Sequence, residues 1–284
     1  MTRLHRKIEN ALDYKNWNNT GVALWWLGQA GFLIKHNGIT ILVDPYLSDA
    51  LAAKYKGKKY PHTRMMDPPI APEELTKIDY YLSSHAHSDH MDPGLIPLVA
   101  KNNPDCTFII PAATLETGLT RGIPADKMIL MDDGEKYRAG GSITIHALSS
   151  AHEKLSKNND DKNLFLGYVI DLHGLTIYHS GDCIPYPGLK QKLASASIDL
   201  ALLPVNGRSD ILRTDGIAGN FTLDEALDLM NENISFMIPH HYGMFDFNTV
   251  SPDWIKQTIM ERGMESRVFP AATGLYFQLD GSDE

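Results

Sequence analysis

From Val22 onward the chain alternates short apolar runs with turn-forming residues. Val22 to Leu27, Phe32 to Lys35 and Ile39 to Val43 are β-prone and separated by Gly28, Gly31 and the pair Asn37-Gly38. Asn-Gly between two apolar runs is a strong hairpin signal, so an antiparallel meander is expected there. Further strands are expected over Asp79 to Ser84, Thr107 to Ile110, Met128 to Met131 and Ser142 to Leu148, the last on its alternating pattern. Leu164 to Asp171 and Leu175 to Ser180 flank His173-Gly174 and read as a second hairpin. Asp199 to Leu203 and Phe236 to Pro239 read as strands, and short strands close the chain near Val268 and Leu275 to Leu279.

Helices are expected over Ala112 to Arg121, over Leu223 to Glu232, and after Ser251-Pro252. Thr222 with Glu225 three residues on has the form of a capping box. The first 20 residues are polar, lack strand character and read as a short helix or arm. Asp44-Pro45 opens a loop rich in Lys, Tyr and Pro that runs to about Pro72. Strands and helices mixed throughout, with many hairpins, predict two packed sheets with helices outside.

Composition narrows the function classes. The 284 residues are 43% hydrophobic and 21% charged, as suits a globular chain. A formal charge of -9 argues against a nucleic-acid partner, which needs a basic footprint. The one lysine-rich stretch, Lys54 to Lys59, reads as a solvated loop. Two cysteines, Cys106 and Cys183, are too few for a disulfide framework. With no secretory signal and no run long enough to span a bilayer, no membrane association is expected, and the cytoplasm is the expected location.

The chemistry concentrates in His85-Ala86-His87-Ser88-Asp89-His90, directly after an apolar strand. His85 and His87 sit two apart and point the same way in an extended segment. Asp89 and His90 are neighbours that can serve a second position. Imidazole with carboxylate suits Zn, Mn, Fe or Co. One loop cannot close two coordination spheres. His152, Asp182, His240 and His241 each follow an apolar strand, so one edge of the fold can gather them.

In order and spacing, Asp44, HAHSDH, a later strand-end His, HSGD and a final strand-end His resemble the metallo-β-lactamase superfamily. VALWWLG, ITIHAL, LTIYHSGD and the IPHHYG region look like the branch containing L-ascorbate-6-phosphate lactonase. The resemblance implies one α+β domain over residues 1–284, a four-layer αββα sandwich. It implies that His85, His87 and His152 bind a first divalent metal ion and Asp89, His90 and His241 a second, with Asp182 bridging. Zn and Mn are both compatible. Asp44 is implied beneath a ligand histidine. Asp182 and Asp89 are the catalytic candidates, acting on a hydroxide between the metals. His240 or Tyr242 is expected nearby, assisting the leaving group. Members of the family often form homo-oligomers, and no subunit count follows from the sequence.

The implied activity is hydrolysis of a lactone or ester of a small, anionic, phosphorylated or unphosphorylated sugar acid. A dinuclear phosphodiesterase or nuclease is the alternative, and a non-catalytic metal-binding or sensor protein the reading from another class. Arg208 and Arg213, in a loop near the expected metal edge, are the candidate contacts to the anionic group. His5, His36, His62 and His173 read as surface residues, and Cys183 as a small packed residue. Trp25 and Trp26 read as sheet packing, and Gly28-Gln29-Ala30-Gly31 as poor evidence for a phosphate loop.

Overall fold

The computed structural model describes residues 2–8, 12–141, 143–230 and 233–281. In chain order the elements begin with β1 (Arg3–Ile8), β2 (Val22–Gly28), β3 (Gly31–His36), β4 (Ile39–Val43), α1 (Ala50–Lys54) and β5 (Tyr80–Leu82). Then come α2 (Ile96–Asn102), β6 (Thr107–Pro111), α3 (Leu115–Thr120), β7 (Met128–Met131), β8 (Lys136–Arg138), β9 (Ile143–Ser149) and β10 (Leu166–Leu172). The last group is β11 (Leu175–His179), α4 (Leu189–Ala194), β12 (Ile198–Pro204), α5 (Asp210–Thr214), α6 (Leu223–Leu229), β13 (Ile234–His240), α7 (Pro252–Glu261) and β14 (Leu275–Asp280).

The strands form two sheets. One has eight strands in the order β1-β14-β2-β3-β4-β5-β6-β7, the other six in the order β13-β12-β11-β10-β9-β8. The result is an α+β sandwich of two mixed sheets, as expected from the sequence.

Side-chain alternation explains the layering. In β2, Leu24 and Trp26 face the core shared by the two sheets. Ala23, Trp25 and Leu27 face the opposite way, onto a second core with Ile96 and Val99 of α2. Both faces of the strand are therefore buried, which is why VALWWLG reads as a continuous apolar run. On the other sheet, Leu189 of α4, Leu223 of α6 and Ile255 of α7 join the main core. Both expected hairpins form. Asn37 and Gly38 adopt φ of 44° and 82°, and His173 and Gly174 adopt 58° and 91°, the left-handed pairs that two-residue turns require. Thr222 and Glu225 make the capping box in full.

Three expectations need correction. The N-terminal segment is neither helix nor arm: β1 pairs antiparallel with β14, Leu4 opposite Leu279. Backbone pairing to a buried neighbour decides this, since five of its six residues are exposed. The 44–72 segment is not all loop, because it contains α1. His36 is buried, its ring Nδ1 2.8 Å from the Gly21 carbonyl. The expected strand start at Ser142 and helix end at Glu232 lie outside the described residues.

Strand direction places the site. β4 to β7 run parallel to one another, and so do β11 to β13. β9 is antiparallel to β10, which is antiparallel to β11, so β9 runs with β11. The C-terminal ends of β4, β5, β9, β11 and β13 thus meet at one edge. Asp44, His85, His152, Asp182 and His241 follow those ends.

Candidate metal centre

The turn after β5 carries four of the candidate ligands. Backbone N–H groups of His90 and Met91 both donate to the His87 carbonyl, at 3.2 and 2.9 Å, and this coils the HAHSDH segment. Its base is tied to both sheets. Leu166 N–H donates to the Ser84 carbonyl at 2.9 Å, and the Tyr168 hydroxyl to the Ser83 carbonyl at 2.8 Å.

The seven candidate ligands come together in two groups. His85, His87, His152 and Asp182 present ligand atoms within 4.8 Å of one another, and so do Asp89, His90 and His241. Asp182 spans both groups. Its Oδ1 lies 3.3 Å from His90 Nε2 and 3.2 Å from His241 Nε2, while its Oδ2 lies 3.6 Å from His152 Nε2.

The donor chemistry fits a cation. The Nε2 atoms of His85, His90 and His241 and Oδ1 of Asp182 are buried and have no hydrogen-bond partner. An unsatisfied buried polar atom costs about 1–3 kcal/mol, so four converging on one place need a compensating group. A metal cation held by these atoms would supply it.

Electrostatics agrees. Burial pushes His85 well below the ordinary histidine range, with His90 and His87 adding repulsion. Burial likewise lowers His152, to about 4. Both rings are neutral at neutral pH, with a lone pair to offer. Burial opposes charge on His90 too, but the carboxylates of Asp182, Asp44 and Asp89 outweigh it and raise His90 well above its ordinary value. The proton on His90 offsets the cluster of carboxylates as a metal cation would.

Supporting residues fix the ligands. Asp44 Oδ2 lies 2.7 Å from His90 Nδ1, and Ser84 Oγ lies 2.9 Å from His85 Nδ1. Gln29, at the β2–β3 turn, donates through Nε2 to Asp89 Oδ2 at 2.9 Å, and its carbonyl accepts the His241 N–H at 3.0 Å. In the sequence Gln29 stood out only by its place in a turn between two strand-forming runs, and its positive φ of 50° emerges with the structure. His241 is likewise held at φ 66°. His179 accepts the Gly181 N–H through Nδ1 at 3.1 Å, its Nε2 lying 2.8 Å from the Ala30 carbonyl, and so packs beneath Asp182.

A cavity of about 670 Å³ opens over this floor. His87, Asp89, His152, Asp182 and His241 line it, together with Gln29, Arg121, Lys54, Lys58 and Lys59. Several expected residues stand elsewhere. His240 is fully buried, stacked on His179 at 5.3 Å and set edge-on to Phe32 at 5.2 Å. The Tyr242 hydroxyl donates to the Ala271 carbonyl at 2.5 Å, and burial raises it above its ordinary range. Neither belongs to the cavity lining, so neither is placed to protonate a leaving group. Arg208 and Arg213 are also absent from the lining. Arg208 makes a forked pair with Glu225 at 2.6 and 2.5 Å, and Arg213 pairs with Asp210 at 2.8 Å. His62, expected at the surface, lies in the wall among Tyr55, Phe245 and Phe247. Cys183 is buried and packed, its thiol pushed up to about 11.

The family model described as "Beta-lactamase superfamily domain" matches residues 23–241, from β2 to the last candidate ligand. The chain belongs to the β-lactamase superfamily. Within it, a UPF0173 metal-dependent hydrolase of Rubrobacter xylanophilus is 25% identical over 259 residues, 87% of this chain and 93% of that protein. An N-acyl-phosphatidylethanolamine-hydrolyzing phospholipase D 1 of Caenorhabditis elegans is 25% identical over 200 residues, 66% of this chain and 54% of that protein. Among solved structures, an isothiocyanate hydrolase from Delia radicum gut bacteria is similar in fold, with a TM-score of 0.72 at 17% identity. The match covers 92% of this chain and 99% of that one. No helix among the described residues is long and apolar enough to cross a membrane.

Proposed function

We propose that the protein is a metal-dependent hydrolase with two divalent ions, Zn or Mn, acting on an ester or lactone of a small anionic molecule. One observation carries the reading. Asp182 turns Oδ1 to His90 and His241 and Oδ2 toward His152, and Oδ1 and the Nε2 atoms of His90 and His241 are buried with no other partner. In this reading His85, His87 and His152 hold one ion, Asp89, His90 and His241 the other, and Asp182 lies between. The ions, when bound, supply Lewis acidity and a water that ionises near neutral pH.

The chain's own residues do the rest. Asp44 and Ser84 orient His90 and His85. Gln29 fixes one oxygen of Asp89, and the carboxylate's second oxygen serves as proton acceptor.

The lactone reading rests on the resemblance of VALWWLG, ITIHAL, LTIYHSGD and IPHHYG to the ascorbate-6-phosphate lactonase branch. Phosphodiester hydrolysis is the second reading, favoured by the phospholipase D relative.

Elemental analysis of purified protein, with a screen of lactones, esters and phosphodiesters in the presence of the metal found, tests the proposal. His87→Ala and Asp182→Ala are expected to abolish hydrolysis with circular dichroism unchanged. Absence of any bound or activating metal overturns the reading. Bound metal without turnover of any of these substrates leaves the non-catalytic alternative.

A further inference from the structure

The cavity has one wall unlike its floor. The segment from α1 to His62 supplies Leu51, Lys54, Tyr55, Lys58 and Lys59, and it faces Ile217 and Phe245. The wall is braced from behind. Lys59 Nζ and the Tyr60 hydroxyl both donate to Asp215 Oδ2, at 2.6 and 2.7 Å. The His62 ring stacks on Tyr55 at 4.3 Å and meets Phe245 and Phe247 at 5.0 and 4.8 Å.

Two of the wall's cations remain uncommitted. Lys59 is spent on Asp215, but Lys54 and Lys58 form no ion pair among the described residues. Lys54 Nζ lies over the Tyr55 ring at 5.1 Å. Arg208 and Arg213, by contrast, are tied to Glu225 and Asp210.

The balance of charge then depends on the floor. Asp89 and Asp182 are the cavity's other acids. With divalent ions among them and Asp215 paired with Lys59, no uncommitted carboxylate remains in the described lining, and the wall presents positive charge beside apolar surface. A ligand matching both carries one negative group and an apolar body.

We propose that Lys54 and Lys58 form the subsite for the anionic group of an amphiphilic organic anion, a phosphodiester or a carboxylate. Its apolar body lies against Leu51, Tyr55, Ile217 and Phe245. The inference rests on reading the floor as a metal centre, and it names the substrate class of that centre.

The test compares wild type with the double variant Lys54→Gln/Lys58→Gln, both metal-loaded. Binding of benzylphosphonate and of phenylacetate is read by calorimetry, independently of turnover. Turnover is read with bis(p-nitrophenyl) phosphate, an anion, and p-nitrophenyl acetate, which is neutral. The double variant is expected to bind the preferred anion about tenfold more weakly, since charge-assisted contacts are lost. Its KM should rise about tenfold more for the anionic than for the neutral substrate. The probe that loses more identifies the group, phosphonate or carboxylate. Equal effects on charged and neutral probes, no effect, or no binding of either anion to wild type overturns the subsite. Loss of anion binding by the variant in a protein that hydrolyses nothing keeps the subsite and removes the hydrolase. Turnover without charge selectivity keeps the hydrolase and removes the subsite.

Discussion

Asp44 Oδ2 accepts the Nδ1–H of His90 at 2.7 Å, and both side chains are wholly buried. The same carboxylate accepts hydrogen bonds from the Ser84 hydroxyl at 2.5 Å and the Ser84 N–H at 2.7 Å. With its only hydroxyl proton committed, Ser84 Oγ can only accept from His85 Nδ1, 2.9 Å away. One aspartate thereby fixes the Nδ1 proton of a histidine in each ligand group and turns both Nε2 atoms toward the site. Asp44→Asn is expected to weaken metal affinity by ~10–100-fold, the usual effect of removing such a support. Competition with a chelating dye measures it. Unchanged affinity would show that the rings are held by packing alone.

Gly181 tests how closely Asp182 is positioned. It sits at φ 59°, and a Cβ there would lie 2.6 Å from Ser84 Cβ and 2.7 Å from the Leu166 carbonyl. The backbone oxygen cannot give way as a flexible side chain would. Gly181→Ala should destabilise the fold by roughly 1–3 kcal/mol through overpacking and backbone strain. Denaturant unfolding reads this directly, and metal content should fall with it because Asp182 is the next residue.

Metal uptake should depend on pH with a definite sign. The raised His90 holds its proton at neutral pH, whereas the lowered His85 and His152 do not. A ligand lone pair is free only after the proton leaves. Affinity should therefore increase as pH rises toward the raised His90 value, with release of about one proton on binding at pH ~7. Calorimetric titrations in two buffers of different ionisation enthalpy would detect it. The metal-free fold behaves oppositely: the stabilisation from protonated His90 is full below the ordinary value of ~6.5 and fades as pH rises through the folded one.

The two thiols should be inert in the native protein. Burial raises Cys106 to about 12 and Cys183 to about 11. Since only the thiolate reacts, alkylation at pH ~8 should proceed at the rate of unfolding. The same shifts favour the protonated form in the fold, so stability should decline as pH climbs above ~8.5, where unfolded thiols ionise. Rapid labelling of folded protein at pH ~8 would contradict the burial of both.

What could be read from the chain follows from what is local. HAHSDH is a single segment, and Asp44, His152, Asp182 and His241 each end an apolar strand, so position along a strand already implied a common edge. β1 was missed because Arg3–Ile8 buries only Leu4, and its conformation comes from pairing with β14. Arg208 and Arg213 were misassigned because their carboxylate partners decide their direction. Glu225 serves both the capping box and the pair with Arg208, and Asp210 lies one helical turn from Arg213. Lys54, Lys58 and His62 read as surface because the wall they build exists only once residues 50–62 dock against Ile217 and Phe245.

That wall hangs from a narrow neck. Asp92 accepts the N–H groups of Leu47 and Ser48 and the Ser48 hydroxyl, at 3.1, 2.9 and 2.5 Å. Arg64 donates to the carbonyls of Tyr46 and Ser48 and lies over the Tyr46 ring. Both ends of the excursion are thus clamped outside the metal ligands, and no proposed ligand lies between Asp49 and Thr63. The segment is a cassette: its length and charge can be exchanged to retarget the cavity while the machinery below keeps its geometry.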